Sequence, residues 1–180
     1  LGAAGINKTF DLPAPHSHAR VSMRVWQVDS FGMTAEAQTF YVRVQAGDDQ
    51  PLNLAEIDVI DSTGAQLTLS DGVLGSQLAD WGASNCNDGS VSTFCHTALS
   101  GWLSGENWVR FAFNSSYTSF TVQVTNRGDA NTAFRIIGGN VQILDASLEI
   151  LGEQNITSSD GTINSGSGVG EWTFNVGSRI

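Results

Sequence analysis

The stretch Asn85-Cys-Asn-Asp-Gly-Ser-Val-Ser-Thr-Phe-Cys-His96 concentrates more chemistry than any other part of the chain. Asp88, Thr93 and the carbonyls of the Asn87-Asp-Gly89 turn offer hard oxygen donors, the kind calcium takes. The same Asp-Gly pair also serves simply as a tight turn. Cys86 and Cys95 lie nine positions apart. They can form a disulfide, stay as thiols, or bind metal with His96, although tetrahedral zinc needs more ligands than these three. A disulfide across so short a loop contributes roughly 2–3 kcal/mol on the chain-entropy model and implies an oxidising compartment. A second loaded stretch is Asn126-Arg-Gly-Asp-Ala-Asn-Thr-Ala-Phe-Arg-Ile136. Arg127 and Arg135 flank a loop there, and a guanidinium presents a fixed fork of donors that suits sugar hydroxyls. Ion pairing with Asp129 is the competing use of these charges. Arg-Gly-Asp also spells an adhesion triplet, but three residues match by accident often. No Gly-x-Ser-x-Gly elbow, phosphate loop or His-Glu-x-x-His is present, so catalysis is not expected.

The charge balance narrows the partners. The chain of 180 residues carries a formal charge of −10, and Lys8 is its only lysine. Such a surface repels nucleic acid and anionic membranes and favours divalent cations. No segment reaches the roughly 20 apolar residues of a membrane helix, so membrane insertion is not expected. The opening Leu1-Gly-Ala-Ala-Gly5 lacks the head and apolar middle of a signal peptide and reads as a mature end left by cleavage. Sequons at Asn7, Asn114 and Asn155 fit secretion and glycosylation.

The elements that must position these residues are strands. Hydrophobic residues make up 41% of the chain and charged residues only 14%, enough apolar material for a core with polar turns. Period-two alternation runs through Arg20–Val28, Thr39–Val44, Ala55–Ile60, Trp108–Phe113, Phe120–Val124, Asn140–Leu144 and Glu171–Val176. Turn signals stand at Asp61-Ser-Thr-Gly64, Asp71-Gly72, Asn87-Asp-Gly89 and Asp160-Gly161. The segment 161–170 is rich in glycine and serine and reads as a mobile loop. An all-β antiparallel sandwich of jelly-roll type follows. His16 and His18 are expected at the surface, and Trp102 is the tryptophan expected to be exposed.

The order Asn-Asp-Gly, Phe-Cys-His-Thr, Trp-Val-Arg-Phe, Val-Thr-Asn-Arg-Gly-Asp, Arg-Ile-Ile-Gly-Gly and Val-Gln-Ile resembles discoidin and F-type lectin domains, from about residue 52 to 144. The resemblance implies a galactose-binding-like sandwich. By motif, it places a sugar-holding histidine at His96 and two arginines at Arg127 and Arg135; Trp102, as the tryptophan expected to be exposed, joins them as a candidate ligand-binding residue. It implies a structural calcium held by the loop residues Asn85, Asp88, Ser90 and Thr93, together with Glu56 from a strand. That strand comes too early for the family, as does Tyr41-Val-Arg-Val44. The resemblance therefore implies a circular permutation, with residues 38–180 forming one sandwich, or exchange of these strands between neighbouring subunits. The family's adjacent cysteine pair is replaced by Ala130-Asn131, the arginines sit one residue further apart, and the calcium turn is shorter.

Two functions are expected from this pattern. One is an extracellular carbohydrate-binding module with structural calcium, whose partner is a glycan or glycoprotein. The other is a structural subunit of an extracellular filament or cell-surface matrix, in which residues 1–37 form a β extension that pairs with copies of the same chain.

Overall fold

The computed structural model describes residues 36–47 and 49–177. The extension expected over 1–37, including the Arg20–Val28 strand, Asn7, His16 and His18, lies outside the described residues but for its last two positions. Nine strands form two antiparallel sheets, and no α-helix occurs among the described residues. Five strands make the first sheet: β1 (Gln38–Gln45), β3 (Ser70–Leu74), β5 (Trp108–Ser115), β7 (Asn140–Leu144) and β8 (Ile150–Asn155). Their order across the sheet is β3-β5-β1-β7-β8. The second sheet runs β4-β2-β6-β9, from β2 (Asn53–Asp61), β4 (Cys95–His96), β6 (Ser119–Asn126) and β9 (Val169–Asn175).

Alternation decides which face each strand buries. In β1, Phe40, Val42 and Val44 point into the core, and in β6 Phe120, Val122 and Val124 do so. Phe40 and Phe113 of the first sheet each bring their rings to 5.1 Å from Phe120 of the second. This aromatic contact is the middle of a core to which both sheets contribute. The early strands β1 and β2 sit inside their sheets, β1 between β5 and β7, and β2 between β4 and β6. The sandwich thus closes with its own β1 and β2. Gln38 and Gly177 line one cleft of about 370 Å³, which places the two ends of the described sandwich side by side.

Three strands lack the expected alternation. The Asp71-Gly72 pair, expected as a turn, lies within β3, where Asp71 has φ 50° and the pairing with β5 is irregular. A Cβ on Gly72 would meet the Phe111 ring at 2.5 Å, so this glycine lets the strand pass over a core aromatic. Strand β8 contains Gly152, whose missing side chain leaves room for the Phe174 ring. Strand β4 is two residues long. The segment 161–170 is not a free loop either. Its Ile163 is fully buried, and that residue's carbonyl accepts a hydrogen bond from Asn126 Nδ2.

Replacing Phe120 by alanine should empty the point where three rings meet and cost about 3–5 kcal/mol. Urea denaturation monitored by circular dichroism measures this, and a loss below 1 kcal/mol would contradict the packing.

Candidate functional site

One end of the second sheet gathers the residues singled out above. β2 begins there, β4 pairs with it through Asn53↔His96 and Leu54↔Cys95, and β6 ends there at Asn126. Between Leu54 and Glu56 the pairing with β6 shifts, so two residues of β2 oppose one of its partner. Such a bulge re-aims a side chain. Glu56 emerges beneath the loop that carries the Asn87-Asp-Gly89 turn, and it remains buried there.

Glu56 and the Asp88 turn are therefore neighbours, although 32 positions separate them. Glu56 Oε1 accepts hydrogen bonds from Asp88 N at 3.1 Å and Ser90 N at 2.8 Å. The carboxylate of Asp88 accepts from Ser90 N and from the Thr93 hydroxyl, at 2.9 Å and 2.7 Å. Thr93 Oγ1 also reaches Ser90 O at 2.9 Å. Burial raises Glu56 above the ordinary carboxyl range, and the adjacent Asp88 carboxyl pushes the same way against the amide bond from Ser90. The Thr93 hydroxyl holds Asp88 below that range. Two carboxylates, a hydroxyl and a carbonyl converge here, and this donor set fits a hard cation. Among the described residues no three His, Cys, Asp or Glu side chains meet. A calcium ion would therefore depend on main-chain oxygens and water for its remaining ligands. Asn85 turns its side-chain amide to Phe94 O, bracing the loop across its width.

Cys86 and Cys95 form a disulfide, with both residues fully buried. It joins the loop to β4, one residue before His96. His96 is buried, and its Nδ1 lies 2.5 Å from Thr97 O. A carbonyl only accepts, so Nδ1 carries the proton. Burial lowers the imidazole pKa, and the positive charges of Arg135 and Arg127 lower it further. His96 is thus neutral at pH 7, and its Nε2 is an acceptor.

The Arg127 guanidinium lies over the Phe94 ring at 3.9 Å and 5.9 Å from the Trp81 ring centroid. Trp81 itself stands 4.7 Å from Phe94 and 5.4 Å from His96. These rings form a wall with an arginine fork laid on it. Arg135 sits in a 3-10 turn over Ala133–Ile136, and its carbonyl accepts from Gly47 N. Arg135 Nε and Asn53 Nδ2 are buried with no hydrogen-bond partner. Asn126 holds this end in place. It is fully buried, its Nδ2 donates to Ala133 O and Ile163 O, and its Oδ1 accepts from Arg127 N.

The structure thus brings together His96, Arg127 and Arg135, and separately Glu56 with Asp88, Ser90 and Thr93. Trp102 contributes backbone to a 3-10 turn over Gly101–Ser104, and its side chain lies outside the described residues. Trp81, Phe94, Asn53 and Asn126 were not marked by the sequence. Phe94 sits inside the Phe-Cys-His motif, but its contact with Arg127 spans 33 positions and leaves no local trace. Ion pairing with Asp129 does not occur. That carboxylate accepts from Asn131 N, and among the described residues neither Arg127 nor Arg135 is ion-paired. Asn114 and Asn155 are both exposed, Asn114 in β5 and Asn155 at the end of β8.

Comparison with models of protein families, with curated proteins and with solved structures returns no match. The fold and the side chains at its end define the class on their own: an antiparallel two-sheet β-protein with a cationic, aromatic-walled loop end.

Asn126→Ala should unpin the arginine loop. Losing the partners of two buried carbonyls costs about 1–3 kcal/mol each when they cannot reach water. Thermal unfolding reports the loss, and Arg127 amide exchange should rise. The neutral His96 adds a pH signature. Because its folded pKa is depressed, the unfolded chain binds the proton first as pH falls below 6.5. Stability should decline there, and His96→Gln should remove that part of the decline.

Proposed function

We propose that this chain is an extracellular carbohydrate-binding module whose ligand loops are fixed by calcium. The reading rests on one observation above others. At the loop end, Arg127 lies on an aromatic wall beside a neutral histidine, and Arg135 Nε and Asn53 Nδ2 are buried without acceptors. Sugar hydroxyls both donate and accept. Arg127, Arg135 and Asn53 supply donors, His96 Nε2 supplies an acceptor, and the exposed Trp81 offers a face for the apolar side of a sugar ring. A buried donor without an acceptor costs about 1–3 kcal/mol, which a ligand hydroxyl would offset.

Calcium, when bound, would neutralise the Glu56–Asp88 pair and stiffen the loop that carries Phe94. The resemblance to discoidin and F-type lectin domains supports this arrangement. So does the cleft shared by Gln38 and Gly177, since one short loop would join those ends in the family's strand order. The buried disulfide is compatible with an extracellular location.

A second reading, assembly by strand pairing, draws on the edge strand β8, where Ile150 is 46% exposed and Leu148, in the turn just before it, is 43% exposed. Concentration-dependent light scattering separates it from a monomeric binder.

A glycan array in millimolar calcium should show binding that Arg127→Gln and His96→Ala each reduce by at least about tenfold, the worth of one good hydrogen bond to a charged group. A folded protein that binds no sugar contradicts the reading. Calcium at about 100 times its dissociation constant should stabilise the fold by about 2.7 kcal/mol. That corresponds to a rise of about 5–10 °C in Tm, which Glu56→Gln should abolish.

A further inference from the structure

The outer face of the five-stranded sheet carries a second cationic cluster. β1 and β5 pair so that Arg43 lies opposite Arg110, while their neighbours Val42, Val44, Val109 and Phe111 fill the core. Like charges placed directly across two strands repel. The chain has ten acidic residues more than it has basic ones, so counter-charges were not scarce. Yet among the described residues neither guanidinium is ion-paired. Arg43 Nε donates to Gln142 Oε1, and Gln142 in turn donates to Glu153. Burial holds the Arg43 pKa down, the charge of Arg110 lowers it further, and Glu153 opposes them. The Arg110 guanidinium lies 5.1 Å from the Tyr41 ring centroid and 5.6 Å from that of Trp108, and its Nε is buried with no partner.

From this geometry we propose that Arg43 and Arg110 form a binding site for a single carboxylate or sulfate group carried on a saccharide. An arginine stacked on an aromatic ring keeps the edge of its fork free for bidentate contact with a planar or tetrahedral oxyanion. Arg110 is stacked in this way, and Arg43 beside it keeps its terminal nitrogens after its Nε is given to Gln142; the two charges are repulsive without the anion and complementary with it. The rings of Tyr41 and Trp108 and the exposed Val73, which pairs with Arg110, give the C–H faces of a sugar an apolar margin. The charge of −10 rejects dense polyanions. An isolated acidic group feels mainly the local pair, because more distant acids are screened beyond roughly 8–10 Å. A peptide is a poorer fit. β5 and β1 are interior strands with neighbours on both sides, so no free edge is available for backbone pairing. The site shares no side chain with the loop-end cluster, so it stands or falls separately from the function proposed above.

The test titrates the full chain at low salt with methyl β-glucuronide, glucose 6-sulfate, methyl β-glucoside, sodium sulfate and an oligoglutamate peptide, reading tryptophan fluorescence and NMR shifts. The glucuronide or the sulfated sugar should bind at least about tenfold tighter than the neutral glucoside. Arg43→Gln and Arg110→Gln should each remove that advantage, while Arg127→Gln should leave it intact. Arg43→Lys and Arg110→Lys keep the charge and should retain part of it. Circular dichroism and Tm confirm that each variant is folded. Removing one of two like charges should not lower stability by more than the lost packing of its stem. Equal binding of charged and neutral sugars overturns the proposal, as does charged-sugar binding that survives both glutamine variants. Inorganic sulfate or oligoglutamate binding as tightly as the acidic sugar also overturns it, because the saccharide would then contribute nothing.

Discussion

A carboxylate that is taken out of water must find donors, and at Glu56 those donors are the main-chain amides of a turn far away in sequence. The irregularity in β2 makes this possible by turning Glu56 away from the strand's core face. The turn is then seated on the sheet, and the disulfide ties its other end to β4. Phe94 and His96 lie on either side of Cys95, so seating the turn also seats the aromatic wall. Everything at the loop end depends on this one contact. The contact in turn needs a sandwich in which β2 is an interior strand.

The same fold carries its positive charge in two places. Four arginines lie among the described residues, two at the loop end and two on the outer face of the larger sheet. None is neutralised by an ion pair among the described residues. In a chain so rich in acids this is a departure from the ordinary pairing of surface charges. One arginine of each pair, Arg110 and Arg127, is instead laid against aromatic rings, whose electron-rich faces attract the guanidinium.

The strands that alternate cleanly were legible in the sequence. Thr39–Val44 and Phe120–Val124 lie inside β1 and β6 because one face of each is apolar throughout. What escaped was set by packing between distant residues. Gly72 and Gly152 look like breakers, yet each sits in a strand where a core ring needs the room. The glycine-rich segment 161–170 looked free because Ile163 is one apolar residue among polar ones and its other ties, such as Asn126 N to Gly168 O and Ser167 N to Arg127 O, are made by the main chain. At the site, the meeting of Glu56 with the Asp88 turn was implied by the resemblance to discoidin and F-type lectin domains. The stacking of Arg127 on Phe94 and the hub formed by Asn126 were not, since no local pattern encodes a contact between separate loops.

The cleft that Gln38 and Gly177 share lies at the start of β1, whereas the loop end lies just past its finish, where Gly47 meets Arg135. Eight strand residues separate the two, a rise of about 26 Å. The two ends of the described sandwich, at Gln38 and Gly177, therefore lie at the pole opposite His96 and Arg127. On the reading proposed above, the sandwich thus keeps its binding end and its strand termini at opposite poles, and a join made between Gln38 and Gly177 would be remote from the ligand.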